Sequence, residues 1–133
     1  MNNWVDALIA KLEATTNGVL NVEINGEKVS VVIGLEVIQY FKENKTLLVK
    51  VGQNTFCDIL KLIQEKKNEQ AFMLLLAQMD AEDLIARMSL NAAELKSYND
   101  TRDKFMASLK KFLLSTLSSL ASKVIIGLLM SAL

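Results

Sequence analysis

The sequence predicts an α+β fold. A small three-stranded sheet (a β-hairpin plus one strand) occupies the first half, and a helical second half ends in a long hydrophobic helix. Three observations carry this reading. Two alternating apolar segments flank Asn25-Gly26, a pair suited to a tight hairpin turn. From residue 53 onward the apolar positions recur three and four apart, the helical period. No Pro-, Gly- or Ser-rich linker divides the two patterns, so 1–133 reads as a single domain, with 1–52 the sheet half and 53–133 the helical half.

Taken in order, Asn3 or Asn2 is a candidate cap for a first helix, with Val5, Leu8, Ile9 and Leu12 on one face. Asn17-Gly18 supplies left-handed backbone to end it. Strands follow at 19–24 and 27–33. A two-residue turn at Asn25-Gly26 sets Ile24 opposite Glu27, Glu23 opposite Lys28, Val22 opposite Val29 and Leu20 opposite Val31. Leu35 to Glu43 reads as a short helix through Val37, Ile38 and Phe41. The run Thr46 to Val51 reads as a third strand, in the order 2-1-3 if the helix is a crossover. Thr55 to Asp58 has capping-box spacing ahead of a helix carrying Phe56, Leu60 and Ile63. Asn68 marks an interruption. Ala71 to Ala77 is apolar on every side, which marks a buried helix. Asp80 to Asp83 reads as the start of another, carrying Leu84, Ile85 and Met88. Asn91 to Glu94 is a capping box that opens the last helix.

Composition narrows the function classes. Apolar residues make up 51% of the chain and mean hydropathy is +0.26, a surplus that calls for a large core, an oligomer interface or a lipid contact. Net charge is zero, and only Arg87 and Arg102 among the 15 basic residues are arginine, which does not favour nucleic acid. No histidine is present, which removes the commonest general base and metal ligand. Cys57 stands alone, so no intrachain disulfide forms. Together with an N-terminus that lacks a basic leader, this places the expected location in the cytoplasm, with peripheral membrane attachment as the variant.

The C-terminal segment poses the main question. Leu109, Leu113, Leu117, Leu120, Val124 and Leu128 form a seam at helical spacing. Ser115, Ser119 and Ser122 lie opposite, small enough for a second helix to approach closely. Ile126, Leu129 and Leu133 then continue the serine side as apolar surface. Phe112 to Leu133 is long enough to span a bilayer, but Lys123 at its centre costs about 3 kcal/mol there. The remaining readings are a helix in the membrane interface and a helix packed on Ala71–Ala77 and a neighbouring subunit.

Candidate chemistry is sparse. Asp80, Glu82 and Asp83 cluster, a pattern that helix-dipole compensation explains better than a cation or acid–base site does. Asp100 and Asp103 fit surface pairing with Arg102 and Lys104. Cys57 in a first helical turn has no histidine to serve as its base, and reads as a buried structural thiol. The doublets Lys66-Lys67 and Lys110-Lys111 read as solvated faces. The hairpin, the run Leu47 to Val51, the helix from Thr55 and Ala71-Phe72-Met73 follow one another in an order that resembles a sterol-carrier domain over residues 19–73. The further strands of that family are replaced here by helix. The resemblance implies an apolar-ligand pocket.

The expectation is therefore a non-enzymatic interaction protein that self-associates or docks a protein partner through its C-terminal helix. The alternative is a lipid- or membrane-binding protein. The expected interface is Leu109, Leu113, Leu117, Leu120, Val124, Leu128, Ser115, Ser119, Ser122, Ile126 and Leu129. No catalytic, cofactor-binding or metal-binding residue is expected.

Overall fold

A computed structural model describes residues 3–131. Asn2 and Leu133, both named above, lie outside the described residues. The elements are α1 (Trp4–Glu13), β1 (Val19–Ile24), β2 (Glu27–Val32), α2 (Leu35–Glu43), α3 (Lys45–Val51), α4 (Gln53–Gln64), α5 (Asn68–Glu82), α6 (Leu84–Met88), α7 (Ala92–Lys111), a π turn (Phe112–Thr116) and α8 (Ser119–Met130). The fold is mixed α+β, mostly helical, with a two-stranded antiparallel hairpin.

Local signals decide the N-terminal elements. The Asn3 side chain accepts from the Asp6 N–H at 3.0 Å and starts α1, which buries Val5, Leu8, Ile9 and Leu12. The hairpin has the register set by its turn, with Leu20 opposite Val31 and Val22 opposite Val29. Asn17-Gly18 builds a second tight turn rather than a helix cap. Thr16 and Val19 exchange backbone hydrogen bonds across it at 3.0 Å, and both turn residues have positive φ, as at Asn25-Gly26.

The expected third strand is absent from the sheet: residues 46–51 belong to α3. A six-residue apolar run reads equally well as strand or helix until its burial is known. Leu48 and Val51 are both fully buried, and positions three apart share a face in a helix but not in a strand. The 2-1-3 order and the strand that carried the sterol-carrier resemblance fall with it. The helix after α3 begins at Gln53 behind Gly52, so Thr55 is not its cap.

The long C-terminal helix is also broken. α7 runs into the π turn, Leu117 is extended, and α8 leaves at 114° to the preceding segment. Ser118 makes the break stable: its hydroxyl accepts from the Ala121 N–H at 3.0 Å, capping α8 afresh. The Asn91–Glu94 capping box at the start of α7 is present in both directions, at 2.9 and 3.2 Å.

The core is built on aromatic contacts. Phe41 meets Phe56 and Phe112 edge-on, with centroids 6.0 and 5.5 Å apart, and Tyr40 stacks on Phe112 at 4.0 Å. α8 lies between the hairpin and α4. Gln53 at one end of α4 donates to the Leu129 carbonyl at 3.0 Å. Gln64 at the other end donates to the Ser119 carbonyl at 2.8 Å. The two helices therefore run antiparallel, held by a glutamine at each end.

Gly127 is where the hairpin reaches α8. A Cβ there would meet Ile24 Cδ1 at 2.6 Å and Cγ2 at 2.8 Å. Gly127→Ala gains about 1 kcal/mol of helix propensity but overpacks a contact at a cost of about 1–3 kcal/mol. The expected outcome is net destabilisation in denaturant unfolding, relieved when Ile24 is also reduced to Ala. A raised unfolding midpoint for Gly127→Ala alone would contradict the close approach.

Candidate functional site

The expected interface turns inward on the chain's own core. Leu109, Leu113, Leu117, Val124, Leu128 and Leu129 are buried, as is Ser122, and Ile126 is half-buried. Leu120 leaves the seam because the break at Leu117-Ser118 rotates α8 relative to α7; it is 47% exposed. Ser115 and Ser119 are exposed, but Ser115 belongs to the π turn and Ser119 to α8, so the close-approach serine face does not exist as one straight stripe. The described part of the apolar tip has a home in the monomer: Val124 and Ile125 are completely buried against α4 and the hairpin.

The acidic cluster has a structural occupation. Asp80 and Glu82 end α5 rather than begin a helix, so dipole compensation is not their role. Asp80 takes Arg102 at 2.6 Å and Arg87 at 3.8 Å, and the Arg87 guanidinium also donates to the Asp80 carbonyl. Asp83, buried at the α5–α6 junction, takes Lys50 at 3.3 Å and a hydrogen bond donated by the Tyr98 hydroxyl. This network ties α3, α5, α6 and α7 together and engages Asp80 Oδ1 and both Asp83 oxygens, while Glu82 is exposed. Among the described residues no three metal-ligating side chains converge. Lys50 and Tyr98 were not legible as members, because nothing local in sequence marks a contact across 33 or 15 positions.

Cys57 sits in the core beside Phe56. Burial is the larger influence on its thiol and pushes the pKa up, against the pull of Lys61, so the reactive thiolate is disfavoured.

Exposed apolar surface lies elsewhere. α5 buries only Ala71, Leu75 and Met79, one stripe at four-residue spacing, and leaves Met73 and Leu76 outside. Lys110 covers Phe72, 5.1 Å from the ring centroid. The five-residue α6 buries nothing, with Leu84 at 52%, Ile85 at 84% and Met88 at 78% exposure. These three were expected on a helix starting at Asp80; α5 instead runs to Glu82 and α6 begins at Leu84. A second feature is a groove of about 280 Å³ at the α7–α8 break, opposite the α4–α5 turn.

The geometry defines a small, mostly helical α+β protein with an exposed apolar helix and a shallow groove. In comparisons with known proteins, no family model, no curated protein and no solved structure matches the chain.

The Tyr98–Asp83 contact has a pH signature. Burial first, then the hydrogen bond and the negative charge of Asp83, push the Tyr98 phenol up to about 12. A folded pKa raised above the unfolded value of about 10 means that this stabilisation is complete below pH ~10 and is lost as pH climbs through ~12. Burial raises the Tyr40 phenol as well, so the ultraviolet titration is read in a Tyr40→Phe background, where the remaining phenol, Tyr98, should ionise late. Asp83→Asn should return it toward ~10; an unmoved midpoint would place the cause elsewhere.

Proposed function

We propose that this is a non-enzymatic protein that self-associates through α6. The observation that carries the reading is that α6 contributes no buried side chain to its own monomer while presenting Leu84, Ile85 and Met88 to solvent. A five-residue helix has too few internal hydrogen bonds to hold itself in water. Three large apolar side chains within one and a half turns make a compact patch of the kind that association covers. A second copy is the favoured partner because the formal net charge is zero, so copies meet without long-range repulsion. The non-enzymatic part is supported by the ion pairs that engage Asp80 and Asp83 and by the raised thiol of Cys57.

This reading moves the interface away from the Leu109–Leu128 seam. Placing a charge at Leu117 or Val124 would break the fold, and so could not report on assembly. Ile85→Lys is the informative variant, since its site is outside the core. Light scattering across a concentration series should show wild type above its 14.8 kDa monomer mass and Ile85→Lys at that mass, with equal unfolding at dilutions where both are monomeric. A wild type that stays monomeric at high concentration would end the proposal.

A second reading is attachment to a lipid surface. No single described helix is long and apolar enough to cross a membrane, but the α7–π segment and α8 meet the length and apolarity test together as a bent pair. Flotation with vesicles separates the readings, because self-association needs no lipid.

A further inference from the structure

We propose that the groove at the α7–α8 break binds a small monoanionic amphiphile, a carboxylate on a short apolar chain. Its apolar lining is Ile63, Leu113 and Leu117, and its polar lining is Gln64, Lys66, Asn68, Ser118, Ser119 and Ser122. The decisive group is Ser122. The residue is only 5% exposed, it lines the groove, and its hydroxyl has no hydrogen-bond partner among the described residues. A buried hydroxyl without a partner costs free energy in the fold, and such a group calls for an explanation. The hydroxyl oxygen is closed to solvent as it stands, and a turn of the Ser122 side chain to another staggered rotamer would offer it to an anionic oxygen at the inner end of the groove.

Charge at the same place fits one negative group. α8 begins here, and the first-turn N–H groups of a helix carry partial positive charge. Lys66 adds a full charge. It sits in left-handed backbone with φ of 62°, at the turn between α4 and α5. Its neighbours Glu65 and Lys67 pair with each other at 3.2 Å, and no carboxylate pairs with Lys66 among the described residues. One lysine and one helix end suit a monoanion better than a phosphate dianion. The apolar lining then asks for a hydrocarbon tail, which free phosphate lacks. At ~30 Å³ per water-sized unit, 280 Å³ accommodates about nine or ten heavy atoms, so the tail is short. Leu114, 49% exposed, adds a further apolar side chain to the lining.

Octanoate is the probe, titrated into the full chain by calorimetry and by NMR, beside octanol and inorganic phosphate. The expected result is saturable one-to-one binding of octanoate, weakened by salt, with octanol and phosphate much weaker. Ser122→Ala should lower octanoate affinity about tenfold, the scale of a hydrogen bond to a charged group. It should leave the unfolding midpoint unchanged or raised, because the hydroxyl it removes has no partner. Lys66→Gly suits the left-handed backbone and so keeps the fold; it should lower affinity about three- to fivefold at low salt. Octanol binding as tightly as octanoate, phosphate displacing octanoate, or affinity unchanged in Ser122→Ala would each overturn the site. If Ser122→Ala fails to fold, unchanged affinity in Lys66→Gly has the same force.

Discussion

Val124, Ile125, Leu128 and Leu129 must leave water, and the molecule is arranged round the helix that carries them. α8 is apolar on nearly every side, so one packing partner is not enough. α4 covers one flank and the β-hairpin another, with α1 also in contact. The demand explains features that look unrelated in sequence. Gly127 has no side chain because Ile24 occupies that space. Gln53 and Gln64 stand one at each end of α4 because each has an α8 carbonyl to satisfy. The 114° break at Leu117-Ser118 sets α8 against both α4 and the hairpin.

A consequence follows for function. A hydrophobic C-terminal segment invites a reading as anchor or oligomer seam, yet here it is spent on the monomer's own core. The apolar surface left over among the described residues is scattered over α6, Val32 and Leu35 at the β2–α2 corner, Val49, Met73, Leu76, Met130 and the rim of the break. These positions are distinguished from the core ones by geometry alone, since Leu84 and Leu60 carry the same side chain with opposite exposures.

Charged residues show the same division. Asp80 and Asp83 close a network that staples α7 to α3, α5 and α6, and so stand in for the apolar contact that the first half of α7 makes little of. The long helix buries only Phe105 and Leu109 along its regular length. Polar bonds at Tyr98 and Arg102 therefore do much to set its direction, and they are partly shielded from water, where such bonds are stronger.

The sequence by itself determined the local elements. Asn-Gly admits positive φ and forces a two-residue turn, and that turn decides the whole hairpin register. Asn3 and the Asn91–Glu94 box cap their helices within four residues, and the faces of α1 and α2 follow from spacing. Tertiary structure decided what depends on neighbours. Leu47 to Val51 became helix because Leu48 and Val51 both had to face the core, and a short apolar run states no period of its own. Ala71 to Ala77 leaves Met73, Leu76 and Ala77 in solvent because its neighbours cover only one stripe. The seam from Leu109 to Leu128 was visible as apolar, but its bend, and thus the exposure of Leu120 and the burial of Ser122, came from packing on α4 and the hairpin. Periodicity reports which residues leave water together; it carries no information on which surface receives them.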